Sequence, residues 1–92
     1  LVQDLSHTFI ALSGNNQYLH RITKQIAPYV HYLHLVDSCG REHDGLPLGM
    51  GDIQWKHIKP YTFNKDFIFE ISLENHHDCR PMVESCIFYN SI

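Results

Sequence analysis

The sequence has no cluster of basic residues and no apolar run long enough to span a membrane. Its seven lysines and arginines are scattered among ten acidic residues, and the formal net charge is −3. Because nucleic-acid surfaces need clustered positive charge, this distribution argues against a nucleic-acid partner. No apolar stretch approaches the roughly 18 residues of a transmembrane helix, so no membrane association is predicted.

Cysteine pairs are also absent. The three cysteines (Cys39, Cys79 and Cys86) are odd in number and form no C-x-x-C motif, which excludes a disulfide framework or a zinc ribbon. Cys79 and Cys86 are seven residues apart, and this spacing predicts that both lie on one buried helix face. Reduced thiols predict a cytoplasmic location.

The sequence also lacks an initiator methionine, since it begins at Leu1 within an alternation of apolar and polar residues. Its 92 residues suffice for one small domain with a thin core. We therefore expect residues 1–92 to be a portion of a larger domain.

The apolar pattern alternates between strands and helices. Strands are predicted at Leu1–Asp4, Tyr29–Val36 and Phe67–Leu73. Helices are predicted from Gly14-Asn15-Asn16 to Pro28, from a cap at Asp52 through Ile58, and from a cap at Asp78 onward, whereas Ser6–Leu12 is predicted to be a loop or irregular turn. This β-α-β-α-β-α order predicts an α/β fold with parallel strands and right-handed crossovers.

Three details of the pattern carry structural expectations. The strand Tyr29–Val36 is apolar on both faces apart from its histidines, as is typical of a parallel strand covered on both sides. The segment Ser38–Gly51 is a long loop with four glycines, and loops of this length are usually functional. The last helix has an apolar stripe predicted to face the core, made of Cys79, Met82, Val83, Cys86 and Ile87.

Three polar residues fall at or near the carboxyl ends of the three predicted strands. They are Asp4, His34 and Glu70, and the carboxyl ends of parallel strands are where catalytic groups collect in α/β barrels. Alone, each has a structural explanation: a helix cap, a hydrogen-bonded core histidine and a satisfied interior carboxylate. Together, two carboxylates and an imidazole predict a divalent cation, namely Mn²⁺, Mg²⁺, Co²⁺ or Zn²⁺.

Four short motifs, in order, resemble the xylose isomerase-like barrel superfamily. That superfamily contains sugar and sugar phosphate isomerases and epimerases, and also the endonuclease IV type (AP endonuclease family 2). Asp4–His7 is similar to its D-x-x-H element and His34–Asp37 to its H-[LI]-x-D strand end. Leu48–Ile53 is similar to its [LI]-G-x-G-x-[IV] loop, and Phe69–Ile71 to its final x-E-[IL] strand.

The resemblance implies that residues 1–92 are the last three units of a (β/α)₈ barrel, each of about 31 residues. It implies that Asp4, His34 and Glu70 bind the metal, and that Glu70 also acts as an acid/base. His7 would bind a substrate oxygen and stabilise the developing negative charge, while Arg41 and His43 would contact a substrate phosphate or carboxylate.

The implied activity is metal-dependent isomerisation or epimerisation of a sugar or sugar phosphate, by proton transfer through an enediolate. The loop Asp44–Ile53 is most similar to the barrel attached to sialic-acid-synthase-type enzymes. The family's other metal-binding glutamate would lie upstream of Leu1, so the fragment alone is predicted to be inactive. Its partners would be the remaining barrel half, or a second copy joined through the open sheet edges.

Three alternatives remain open. The barrel could be a degenerate, non-catalytic sugar-binding or regulatory domain of a carbohydrate-biosynthesis protein. It could be an endonuclease IV-type zinc phosphodiesterase, although Gly45 stands where that relative has a histidine ligand. The chain could also be an autonomous small α/β protein.

Overall fold

The computed structural model describes residues 1–43, 45–75 and 77–92, so His76 and Asp44, the first residue of the family-like loop Asp44–Ile53, lie outside the described residues. The strands are β1 (Val2–Asp4), β2 (Tyr32–Leu35) and β3 (Asp66–Phe69). The α-helices are α1 (Leu5–Ala11), α2 (Asn16–Ile26), α3 (Trp55–Ile58) and α4 (Arg80–Ser91). Among these residues, no helix has both the length and the apolarity needed to cross a bilayer.

The three strands form one parallel sheet in the order β1-β2-β3. Asp4 is paired with His34, and His34 is paired with Ile68 on the next strand. The Glu70 N–H donates to the Leu35 carbonyl at 3.2 Å, which extends the ladder just past β3. The predicted α/β class and parallel pairing are therefore confirmed, and the three strands end at one edge of the sheet.

All the helices pack on one face of this sheet. The covered face carries Gln3, Leu33, Leu35, Phe67 and Phe69, and helices α1 to α4 all contribute to the core beneath it. The open face carries Val2, Asp4, Tyr32, His34 and Ile68. Val2 is 57% exposed and Ile68 is 43% exposed. Strands in consecutive order joined by right-handed crossovers place every helix on the same side.

The prediction that β2 is covered on both faces is therefore wrong for the described part of the chain. The prediction that the third strand reaches Leu73 is also wrong, because β3 ends at Phe69. Past Leu35 the chain of β2 turns aside, and Asp37 pairs with Leu46 in an isolated antiparallel bridge. Ser72 therefore finds another partner and donates its N–H to the Gly45 carbonyl at 2.9 Å.

Helix α1 occupies most of the segment predicted to be a loop, Ser6–Leu12, so that prediction is wrong. Asp4 caps the helix, since its Oδ1 accepts the His7 N–H at 2.9 Å. Leu5 and Phe9 are one turn apart and both fully buried, which ties the helix to the core. A single pair of apolar residues is a weak periodic signal in a sequence, although it is enough to hold a two-turn helix.

The start of α2 is as predicted, and the start of α3 is not. Asn15 caps α2 by accepting the Tyr18 N–H at 3.0 Å. Asp52 does not cap α3, which begins at Trp55 without a side-chain cap. Instead, Asn16 of α2 accepts the Gln54 N–H and donates to the Asp52 carbonyl, each at 2.9 Å. Asn16, on a neighbouring helix, thus accepts the backbone N–H that Asp52 was predicted to cap.

Helix α4 is rotated relative to the prediction from its apolar stripe. Val83 and Ile87 are 55% and 64% exposed, and the Cys79 and Cys86 thiols are exposed too. The predicted inward stripe and the predicted buried cysteine face are therefore wrong. The residues that face the core are Ser85, Phe88, Tyr89 and Ile92.

Polar contacts hold α4 in this rotation. Ser85 Oγ accepts the Leu48 N–H at 3.0 Å, and Tyr89 Oη lies 2.6 Å from Thr62 Oγ1. Lys59 Nζ donates to the Tyr89 carbonyl at 2.7 Å, at the carboxyl end of the helix. Buried hydroxyls must find hydrogen-bond partners, and these partners lie on only one side of the helix.

The long loop after β2 is organised by the buried side chain of Asp37. Its Oδ1 accepts N–H groups from Ser38 and Ile53, at 2.8 and 3.1 Å. Its Oδ2 accepts from the Gly49 N–H and from Trp55 Nε1, each at 2.9 Å. A fully buried carboxylate needs such donors, because leaving it without them costs several kcal/mol or more. These four bonds join both ends of the loop to the start of α3.

Gly51 allows the loop to close over this carboxylate. A Cβ at Gly51 would lie 2.5 Å from Asp37 Oδ1 and 2.6 Å from the Ser38 carbonyl oxygen. Both distances are shorter than any ordinary contact, and one of the atoms belongs to the backbone. Any side chain at this position would therefore push the loop away from Asp37.

We expect Asp37→Asn to lower the free energy of unfolding by about 3 kcal/mol, because an amide NH₂ would face N–H donors inside the core. Urea denaturation of the two proteins measures the difference. Asp52→Asn is the matched control, since Asp52 is exposed, and its side chain should contribute little. Equal losses in the two variants would contradict the role assigned to Asp37.

Candidate metal centre

The three predicted ligands meet at the carboxyl edge of the sheet. Asp4 ends β1, His34 lies in β2 and Glu70 directly follows β3. His34 Nδ1 is 2.9 Å from Glu70 Oε2 and 3.6 Å from Asp4 Oδ2. One ligand atom from each residue lies within 4.8 Å of the other two. The register of the parallel strands thus brings together residues that are 66 positions apart at the extremes (70 − 4).

Exposure rises across this cluster from β1 to β3. The side chain of Asp4 is 13% exposed, that of His34 is 27% exposed and that of Glu70 is 46% exposed. The carboxylate of Glu70 is therefore the ligand most accessible to solvent and to a small molecule. Asp4 and His34 are held more firmly, since the sheet and α1 surround them.

A second cluster shares Asp4 with the first. His7 Nδ1 lies 3.3 Å from Asp4 Oδ2, and the His7 ring stacks on the His43 ring with centroids 4.1 Å apart. Asp4, His7 and His43 also offer ligand atoms that are within 4.8 Å of one another. Ser6 orients His43, because its Oγ is 3.0 Å from His43 Nδ1. His7 and His43, predicted to bind substrate, thus lie beside the predicted metal ligands.

Asp4 has two roles in this arrangement. Its Oδ1 caps α1, while its Oδ2 is the oxygen nearest to both His7 and His34. The cap fixes the rotamer of the side chain, so the free oxygen is aimed at the imidazoles before any ligand arrives. The structural and the functional explanations of Asp4 are therefore compatible.

The structure does not bring Arg41 into either cluster. Its side chain is exposed, and it is in none of the ion pairs formed by the described residues. The loop around it is held by Ser38, whose Oγ donates to the Glu42 carbonyl at 3.1 Å. Its predicted contact with a substrate phosphate or carboxylate stays a prediction.

Two residues that shape the site were given no role from the sequence. Ser6 was seen only as part of a D-x-x-H motif, yet it is fully buried and bonded to His43. Asp37 was seen only as the end of a strand motif. One signal could have revealed Asp37: a carboxylate directly after a buried strand and before a glycine-rich loop needs N–H donors, and that loop supplies them.

Two carboxylates and an imidazole can either bind a cation or share a proton. A ligating imidazole must be neutral, so His34 would bind a cation through an unprotonated ring nitrogen. Oxygen-rich sites with one imidazole suit Mn²⁺, Mg²⁺ or Co²⁺, and also Zn²⁺.

Comparison with protein-family models, with curated proteins and with solved structures finds no match to this chain. The resemblance to the xylose isomerase-like superfamily thus stays a prediction based on four short motifs. The geometry of the two clusters stands independently of it.

We expect the two roles of Asp4 to separate in two variants. Asp4→Asn keeps a capping oxygen, so its free energy of unfolding should stay within about 0.5 kcal/mol of the parent. Asp4→Ala removes the cap and should cost about 1 kcal/mol. Thermal and urea unfolding measure both. A loss in Asp4→Asn as large as that in Asp4→Ala would show that the carboxylate charge, and not the cap, supports the fold.

Proposed function

We propose that Asp4, His34 and Glu70 bind a divalent cation, and that the site serves a sugar or sugar phosphate isomerase or epimerase. The observation that carries the proposal is the convergence of the three ligand atoms within 4.8 Å from three separate strands. Three protein ligands on an accessible edge leave coordination positions free for a substrate. The donor set, two carboxylates and one imidazole, fits Mn²⁺, Mg²⁺ or Co²⁺ well.

The residues around the site suit proton transfer at a sugar carbon. A bound cation would supply Lewis-acid activation of a carbon-bound proton beside the sugar oxygens. Glu70 is the most exposed carboxylate of the cluster and is therefore placed to accept or return that proton. His7 is 63% exposed, so its imidazole can donate to a substrate oxygen as negative charge develops.

The architecture supports the proposal that these units belong to a (β/α)₈ barrel. Consecutive parallel strands with helices on one face are how such barrels are built. The outer strands β1 and β3 each leave one edge unpaired among the described residues, and an unpaired edge invites further strands. The remaining barrel strands, or a second copy of the chain, would pair there. Exposed thiols at Cys79 and Cys86 suit a reducing cytoplasm.

Cation binding is testable on this chain. We expect Mn²⁺ to broaden the NMR signals of amides around Asp4, His34 and Glu70 at substoichiometric amounts. Glu70→Gln should weaken binding at least about tenfold, since it removes a charged ligand. Glu84→Gln, at an exposed position on α4, is the matched control. Unchanged Mn²⁺ affinity in Glu70→Gln, or broadening centred elsewhere, would contradict the site.

The same variant tests the chemistry in the assembled barrel that this proposal requires. Exchange of a carbon-bound sugar hydrogen with deuterium from D₂O should occur in the parent and stop in Glu70→Gln. If exchange continues at the parental rate, Glu70 is not the acid/base. If Mn²⁺ binds but no sugar exchanges hydrogen in the parent, the barrel is a binding domain without catalysis.

The second cluster favours a second candidate, a phosphodiesterase that uses two cations bridged by Asp4. Paired cations commonly activate water against phosphodiesters, and the cluster Asp4, His7 and His43 offers a second site. This candidate predicts two Zn²⁺ per chain by calorimetry, and hydrolysis of bis(p-nitrophenyl) phosphate. His43→Ala should reduce the stoichiometry to one. A single bound ion in the parent would reject it and favour the isomerase.

A further inference from the structure

A cavity of about 450 Å³ lies between the segments that follow β2 and β3. One wall is the loop after β2, with Gly45, Leu46 and Pro47, and the other wall is the segment after β3, from Ser72 to Asn75. The start of α4 closes it with Pro81. The hydrogen bond from the Ser72 N–H to the Gly45 carbonyl joins the walls, so they are held at a defined separation.

The cavity lies within reach of the metal centre. Ser72 follows Glu70 by two residues, and Gly45 follows His43 by two. Extended chain advances about 3.3 Å per residue, so each wall begins about 7 Å along the chain from a site residue. A ligand in the cavity would therefore lie close to the chain segments that carry Glu70 and His43.

The polar lining of the cavity carries no positive charge among its described residues. It consists of the Ser72 hydroxyl, the Asn75 amide and two carboxylates, Glu74 and Asp78. The Asp78 carboxylate is neutralised from outside the cavity by Arg80, whose Nε and terminal nitrogen donate to its two oxygens at 3.0 and 2.9 Å. These bonds hold the pKa of Asp78 at about 2, so it stays ionised and paired. Among the lining residues that the structure describes, Glu74 is left as the carboxylate that no ion pair offsets.

This lining is the opposite of what a phosphate needs. The loops after the last two strands of α/β barrels often bind phosphate, yet here the carboxylate of Glu74 would repel a dianion. Sugar hydroxyls fit better, since they can donate to Glu74 and exchange hydrogen bonds with Ser72 and Asn75. The carbon face of a sugar ring can pack on the apolar wall, which includes Leu46, Pro47 and Pro81.

We propose that this cavity binds the uncharged, polyhydroxylated end of the substrate, so that the substrate is an unphosphorylated sugar. The proposal rests on the isomerase or epimerase function proposed above, and it assigns the part of the substrate remote from the cation. Glu74 is the residue that discriminates against phosphate, while Ser72 and Asn75 position the hydroxyls.

The test compares matched pairs of pentoses and hexoses with their terminal phosphates, by NMR titration in the presence of Mg²⁺. Unphosphorylated members should shift the amides of Gly45, Leu46 and Asn75 and bind at least about tenfold more tightly than their phosphates. Glu74→Lys should reverse the preference. Glu84→Lys makes the same charge change on an exposed position of α4 that does not line the cavity, and should leave the preference unchanged.

Preference for the phosphates in the parent, an unchanged preference in Glu74→Lys, or no binding by any member of the panel would each overturn the assignment. Failure of the cation site is seen separately in the Mn²⁺ titration. Sugar binding in the cavity without Mn²⁺ at Glu70 would retain the cavity and reject the catalytic function. Mn²⁺ binding at Glu70 together with a preference for the phosphates would retain the proposed cation site and reject the assignment of the cavity.

Discussion

The hydrogen bonds of the buried Asp37 carboxylate are the interaction on which the carboxyl edge of the sheet, with its candidate site, depends. Four N–H groups converge on it, from the residue that follows it, from the glycine-rich loop and from the approach to α3. A loop with several glycines has high conformational entropy in the unfolded chain, so it needs a strong local constraint to adopt one shape. Asp37 provides that constraint from inside. His43 and Gly45, which serve the clusters and the cavity, lie on the loop it holds.

The candidate metal centre is organised differently, by sharing groups that have other roles. The Oδ1 atom of Asp4 caps α1, and this hydrogen bond fixes the side chain. The Oδ2 atom is therefore held facing His7 and His34. His34 already pairs with Glu70 at 2.9 Å, so a cation must displace this contact in order to bind. Cation binding therefore competes with the existing contact between His34 and Glu70. Such competition suits a site that has to exchange ligands.

The order of elements and the gathering of strand ends were predictable from the sequence, while the rotation of single elements was not. The convergence of Asp4, His34 and Glu70 was predictable because the carboxyl ends of adjacent parallel strands lie at the same edge of a sheet, however the helices pack. The exposed positions of Val83 and Ile87 on α4 follow from hydrogen bonds made by Ser85 and Tyr89 to distant residues. A hydropathy pattern records only which residues are apolar, so it carries no information about distant hydrogen-bond partners.

The same limit applies to other tertiary contacts. The predicted contact of His43 with substrate stays a prediction, and its stacking on His7 and its bond to Ser6 were not predictable, because the bond to Ser6 joins positions 37 apart in the chain (43 − 6). Asn16 took the role predicted for Asp52 because it reaches the start of α3 from a neighbouring helix. At the start of α3 the capping rule was applied correctly, and a tertiary partner with better geometry satisfied the same backbone group.

The consecutive parallel strand order that gathers the site residues also leaves one face of the sheet bare among the described residues. Val2 and Ile68 are exposed on that face for the same reason that Asp4 and His34 are reachable from it: every helix lies on the other side. Burying such a face by adding helices would cover the cluster as well. Closing the sheet into a barrel would bury the apolar residues in its interior and keep the carboxyl edge open. The exposed apolar residues of this face therefore support the barrel proposed above.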